Sequence, residues 1–166
     1  MQELLVLILL FLCACLYYML KNRLAIFFPS SKGVIKAVLE FADITHGDVF
    51  YDLGSGDGRI LVEAAKHGIE VIGIEQNRLL NWIARMRTRN FKNIKIIHGD
   101  LFKQDISRAT IIVAYLSRDL TLRLQHKLKK ECKRGTKIIL IDHPFKNWNP
   151  VRVKKVGLVT VRLYKR

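Results

Sequence analysis

The stretch Tyr51-Asp52-Leu53-Gly54-Ser55-Gly56-Asp57-Gly58-Arg59-Ile60-Leu61 closes a predicted strand over 48–53 and opens a predicted helix over 58–67. A glycine-rich turn between a strand and a helix lets a ligand lie against the backbone, because glycine has no side chain in the way and reaches backbone angles closed to other residues. The candidate cofactor contacts in and beside this turn are Asp52, Gly54, Gly56, Asp57 and Gly58. A dinucleotide fingerprint requires glycines at its first, third and sixth positions. Here the sixth position is Arg59, and the third glycine comes one place early, at Gly58.

Outward from this turn the chain alternates short β-branched runs with longer helical patterns, which predicts an α/β domain built on a mostly parallel sheet. The expected order is helix 33–43, strand 48–53, helix 58–67, strand 70–75, helix 78–90, strand 93–98, strand 110–115, helix 119–133, strand 136–142, and a terminal pair near 151–156 and 158–164. In helix 119–133, Leu120, Leu124 and Leu128 stripe one face. Asp119 is the expected cap, and Gly135 the expected stop.

The acids beside the turn decide between ligands. Asp52 and Asp57 offer nothing to a pyrophosphate, whereas S-adenosylmethionine has no phosphate and carries an ammonium and a sulfonium beside its carboxylate. Asp52 is therefore expected at the methionine end. Glu75 closes strand 70–75, where a carboxylate takes both ribose hydroxyls in nucleotide folds. Asp100 follows strand 93–98 and is expected to accept from the adenine amino group, with Leu101 and Phe102 supplying backbone contacts and an apolar wall. No metal site is expected, since Cys132 stands alone and Cys13 and Cys15 fall inside an apolar run.

That run extends from Leu4 to Leu20, seventeen residues without one polar break. It reaches the short end of the roughly 17–25 residues that a spanning helix requires. Tyr17 and Tyr18 suit an interfacial end. The start Met1-Gln2-Glu3 lacks the basic head of a secretory signal, so an uncleaved anchor over residues 1–20 is expected. Lys21, Arg23, Lys32 and Lys36 follow it. Positive charge stays on the side of synthesis, which predicts a single-pass protein with its domain on the cytoplasmic side, or the matrix side in an organelle. Residues 21–33 form a basic connector, and residues 34–166 the domain.

The cofactor turn, Phe28-Pro29, Gly73-Ile74-Glu75, Gly99-Asp100-Leu101, Tyr115-Leu116, and Pro144-Phe145 with Trp148 together resemble the seven-strand class I methyltransferases. More narrowly they resemble the small protein-lysine methyltransferases, which include an archaeal broad-specificity enzyme and the mitochondrial ATP synthase c-subunit enzyme. The resemblance implies a Rossmann-like sheet with helices on both faces, S-adenosylmethionine as methyl donor, and protein lysine as acceptor. A neutral lysine must be held in line with the donor in a partly apolar pocket. Tyr115 and Ser117 after the fourth strand, and Asp142, His143 and Phe145 after the fifth, are expected to overhang that pocket; Tyr115, Asp142 and His143 are the candidate catalytic residues.

Twenty-nine Lys and Arg against 14 Asp and Glu leave a net charge of +15, which points to an anionic partner. Nucleic acid is the first rival substrate, supported by Arg78, Arg85, Arg87 and Arg89 on one helix. Against it, Ala114-Tyr115-Leu116-Ser117 replaces the Asn/Asp-Pro-Pro-aromatic tetrad that enzymes methylating exocyclic base amines resemble one another in. Anionic lipid headgroups account for the arginines more simply. A small-molecule or lipid methyltransferase and a non-catalytic membrane-tethered binding module are the remaining rivals. Oligomeric state stays open.

Overall fold

The computed structural model describes the backbone of residues 2–21 and 28–166, and the side chains of 3–14 and 28–166. Residues 22–27 of the expected connector, Arg23 among them, lie outside the described residues, as do the side chains of Cys15, Tyr17 and Tyr18. Helix α1 (Gln2–Lys21) comes first, followed by α2 (Lys32–Ala42), β1 (Val49–Leu53), α3 (Arg59–Ala65), β2 (Glu70–Glu75), α4 (Arg78–Thr88) and β3 (Ile94–His98). A single 3-10 turn at Leu101–Lys103 leads to β4 (Ile111–Ala114), α5 (Arg118–Glu131), β5 (Lys137–Ile141), β6 (Arg152–Val156) and β7 (Val159–Lys165).

The seven strands form one sheet in the order β3-β2-β1-β4-β5-β7-β6. Strands β1 to β5 pair in parallel, and β7 enters antiparallel between β5 and β6. Strand residues alternate between two apolar cores, as the period of two requires. Phe50, Val71, Ile111, Val113, Ile139 and Val161 face α2, α3 and Ala84 of α4. Tyr51, Ile72, Ile112, Ile138, Leu140 and Tyr164 face Leu124 and Leu128 of α5, with Leu101, Ile106 and Ala109 covering the remainder. Helices thus lie on both faces, three against one. Full burial of Leu124 and Leu128 stabilises the α5 side by about 1.5–3 kcal/mol each.

Two local expectations are corrected. Ser117 is the N-cap of α5, and Asp119 lies in its first turn, where it favours the helix dipole. The helix stops at Cys132, whose N–H bonds Leu128 O; Gly135 belongs to the next turn, donating to Arg166 O at 2.8 Å. At the start of α2, Ser31 is the cap and the Ser30 carbonyl is held by Arg59.

The side chains of α1 from Glu3 to Ala14 are all exposed, including nine successive large apolar ones, Leu4 to Leu12. Among the described residues no helix is long and apolar enough to cross a membrane. The expected span runs beyond the described side chains, to Leu20.

Gly73 shows how closely α3 is seated on the sheet. A Cβ there would lie 2.5 Å from Leu61 Cδ1 and 2.8 Å from Ser55 Oγ. Gly73→Ala is expected to lower stability by about 1–3 kcal/mol through overpacking. Thermal unfolding followed by circular dichroism checks this; a variant melting with the parent would show that α3 can move off β2.

Candidate active site

Because β1 to β5 are parallel, their carboxyl ends share one edge. The chain leaves β1 toward β2 and β3 on one side, and continues through β4 and β5 on the other. This is the switch point at which open α/β sheets hold ligands. The glycine turn lies there, at the end of β1. Gly54, Gly56 and Gly58 have φ of +83°, +55° and +80°. Two bonds to the neighbouring strand fix the turn, from Gly54 N and Ser55 N to Ile74 O at 2.8 and 3.1 Å. Gly58 has a further constraint, since a Cβ there would stand 3.1 Å from Ala84 Cβ of α4.

Asp52 is 3% exposed, paired in register with Gly73 on one side and Val113 on the other. Its carboxyl makes no hydrogen bond among the described residues. Burial, reinforced by the charges of Glu75 and Asp57, pushes its pKa up to about 8. Glu75 is also buried, and it organises the turn: Oε2 accepts from Gly56 N at 2.9 Å and Oε1 from Asn77 N at 2.7 Å. A carboxylate has about four lone-pair directions, so acceptor capacity remains for ribose hydroxyls. Asp100 caps the 3-10 turn through Phe102 N at 2.9 Å, and Leu101 is buried beneath it.

Asp57, the other acid expected at the cofactor, has partners within the protein. Its carboxylate does not face the crevice unpaired but is gripped by Arg59, at 2.7 Å, and by Arg87 of α4, at 2.5 Å. Burial alone would raise its pKa, but the two guanidinium groups outweigh it and hold the carboxyl at about 2. Arg59 also donates to Ser30 O at 3.0 Å, and Arg87 to Asp57 O at 2.9 Å. Asp57 therefore clamps the turn to α4 and to the start of the domain. A cavity of about 240 Å³ beside these arginines is lined by Ser30, Lys32, Ile35, Arg59, Glu63 and Arg87. It is smaller than the about 300–1,000 Å³ of ordinary ligand pockets, and its guanidinium groups are already paired.

On the other side of the switch point, the structure brings Tyr115 and Asp142 together. Burial raises the Tyr115 pKa, and the Asp142 charge raises it further, so the phenol stays neutral and can donate from Oη. Asp142 has φ +74°, and His143 N bonds back to Ile141 O at 3.2 Å. These are the marks of the rare γ-turn with positive φ, a strained conformation. Arg162 of β7 braces it by donating to Asp142 O. His143 Nε2 lies 4.0 Å from Asp142 Oδ2, both side chains partly exposed. Ser117 is exposed and its side chain makes no capping bond. Phe145 stacks on Trp148 at 5.0 Å, and its backbone N–H donates to Tyr164 Oη at 3.4 Å. Gln125 of α5 bonds both backbone groups of Lys146.

Sequence reasoning missed the roles of Arg59, Arg87, Asn77 and Arg162. A run of charges around Asp57 was the one available signal, and only the packing of α3 against α4 shows who pairs with whom.

The sheet order, the glycine turn at the switch point and a buried, unpaired Asp52 able to meet an ammonium define a class I methyltransferase whose cofactor is S-adenosylmethionine. Residues 52–152 match the ANTKMT methyltransferase domain, and the chain belongs to that family. It is 35% identical over 133 residues to a protein-lysine N-methyltransferase of Saccharolobus islandicus, covering 77% of this chain and 83% of the relative. It is 32% identical over 141 residues to the human ATP synthase c-subunit lysine N-methyltransferase, covering 83% of this chain but 60% of that protein. Among solved structures, an RNA methyltransferase of Salinibacter ruber in complex with S-adenosyl-L-homocysteine superposes with a TM-score of 0.80 at 34% identity, covering 83% of this chain and 93% of the other.

The Asp52 carboxyl has a consequence for stability. Its folded pKa of about 8 lies above the unfolded value of 3.8, so the native state holds a proton that the unfolded state has lost between those limits. Its contribution is present below about pH 4 and disappears as pH rises through about 8, at up to about 1.4 kcal/mol per pH unit. Asp52→Asn is expected to be more stable than the parent at pH 8, with the difference closing toward pH 4. Denaturant midpoints across that range check the sign.

Proposed function

We propose that this chain is a protein-lysine N-methyltransferase that works at a membrane to which α1 attaches it. The observation that carries the lysine assignment is the charge of the crevice. In a chain of net charge +15, the carboxyl groups of Glu75, Asp100 and Asp142 gather at the carboxyl edge of the sheet beside the protonated Asp52. An acidic crevice attracts a lysine ammonium and repels a polyanion. The names of the Saccharolobus and human relatives agree with this reading. Since the chain spans about three fifths of the human relative's length, the target does not carry over with the family.

Bound S-adenosylmethionine supplies a methyl group already activated by its sulfonium. Asp52 holds the ammonium of its methionine end, Glu75 accepts from its ribose, and Asp100 with Leu101 borders its adenine; Gly54, Gly56 and Gly58 let the backbone approach. The acceptor is positioned by Tyr115, which donates from Oη, and by Asp142, which attracts the incoming lysine as a cation. His143 Nε2 takes the proton and passes it to water. Desolvation in this half-buried corner favours the neutral amine.

Because Asp52 is protonated below about pH 8 and ionises on meeting an ammonium, cofactor binding releases a proton. Affinity for S-adenosylmethionine is expected to rise with pH and level off above about 8, by up to about tenfold per unit. Calorimetry in buffers of differing ionisation heat reads the proton directly. Asp52→Ala and Glu75→Gln should each weaken binding by about 10- to 100-fold, the scale of a lost charged hydrogen bond. A pH-independent affinity would remove Asp52 from the ammonium.

The membrane reading rests on the unbroken run Leu4–Leu20, on the nine exposed apolar side chains of α1, and on the basic residues that follow. It makes the chain a single-pass protein with its domain on the side of synthesis. A tethered site meets membrane-resident proteins at raised effective concentration. Carbonate extraction and protease protection of sealed vesicles test it, release into the soluble fraction being the outcome that removes the anchor.

RNA is a second reading, favoured by what the Salinibacter neighbour is said to act on and by the net charge. Labelled S-adenosylmethionine, membranes and total RNA are incubated with parent or Asp52→Ala protein, then treated with protease, nuclease or lipid solvent. Label that needs Asp52, follows protein and maps to lysine is expected. Nuclease-sensitive label would transfer the assignment to RNA, and solvent-extractable label to lipid.

A further inference from the structure

Helix α4 has its polarity reversed. The face turned to the domain buries Asn81, Ala84 and Thr88. The face turned away exposes Leu79, Trp82 and Met86, by 65%, 60% and 46%. At about 100° per residue, these three lie within about 60° of arc, nearly opposite the buried three. The inward face has local reasons for its composition. Ala84 must be small where Gly58 meets it, and Thr88 Oγ1 bonds Ala84 O at 2.8 Å. Nothing in the domain accounts for the outward face, and a row of apolar side chains exposed this way marks an interaction surface.

The charges beside the row select its partner. Helix α4 and its C-cap residue carry four arginines and no acid. Arg85 is held by Asn81 and Ile96 O, and Arg87 by Asp57. Arg78 and Arg89, at the two ends of the row, make no ion pair among the described residues, and Lys92 stands exposed in the loop after α4. A second copy of this chain would bring the same positive charge to the same face. A tryptophan in an apolar row flanked by arginines is the pattern of a helix lying in the headgroup layer of an anionic bilayer. The start of the domain reinforces that orientation. Ser30 O accepts from Arg59, and Arg59 and α4's Arg87 grip the same Asp57, so the chain joins the domain beside α4.

We propose that α4 is a second membrane contact, with Leu79, Trp82 and Met86 at the acyl boundary and Arg78 and Arg89 on anionic headgroups. This goes beyond the anchor reading and does not require α1 to cross the bilayer. The full chain is reconstituted in phosphatidylcholine vesicles with or without phosphatidylglycerol, and tryptophan quenching by brominated acyl chains is measured. Trp82→Phe and Trp148→Phe separate the two tryptophans, and S-adenosyl-L-homocysteine binding confirms that each variant is folded. Quenching is expected in the parent and in Trp148→Phe, most of it lost in Trp82→Phe, and reduced by Arg78→Gln with Arg89→Gln when phosphatidylglycerol is present. Trp82 emission untouched by bromolipid but quenched by aqueous acrylamide overturns the proposal. So does a detergent-solubilised dimer that Trp82→Glu dissociates. Protein that stays on the vesicles without Trp82 quenching leaves the α1 anchor standing and removes only the α4 contact.

Discussion

A carboxyl group buried beside a second carboxyl is the constraint around which the rest of this structure is arranged. Asp52 and Glu75 end adjacent parallel strands, both shielded from water. Two such charges cannot both be comfortable in low dielectric. The protein resolves the conflict unequally: Glu75 takes two backbone N–H groups, while Asp52 is left without a partner and holds its proton. Only an incoming cation restores the balance. The arrangement costs stability as pH rises through about 8.

The turn that brings these groups together is held by charge as well as by glycine. Asp57, beside the same turn, has the opposite fate from Asp52. Two guanidinium groups keep it ionised, and through them it ties the turn to α4 and to Ser30. Across the crevice, Arg162 does similar work for the strained backbone at Asp142. In both places an arginine stabilises a conformation that the local residues would not adopt alone, which is how strained geometry persists at functional sites.

Charge is also sorted over the molecule. The basic excess lies on outer surfaces such as α4, the C-terminal turn of α5 and β6, while the crevice gathers acids. A uniformly basic protein would admit any anion to its site. This one keeps its positive field for the outside, where α1 and the outward face of α4 expose apolar side chains that water does not favour.

The period-two runs, the helical stripes and the three alternating glycines determined by themselves the parallel sheet, the order of its elements and the place of the glycine turn, because strand alternation and glycine geometry are local properties of the chain. The adjacency of Asp52 and Glu75 was legible for the same reason: strand ends in a parallel sheet converge wherever the strands are. Only the tertiary structure decided which acids remain available. Asp57 looks like Asp52 in sequence, but Arg87 approaches it from thirty residues away, and no spacing rule foretells that pair. The γ-turn at Asp142, braced from β7, and the outward apolar face of α4 belong to the same class. They depend on which side of an element packs inward and on which distant side chain arrives there, and those are settled by the packing of the whole domain.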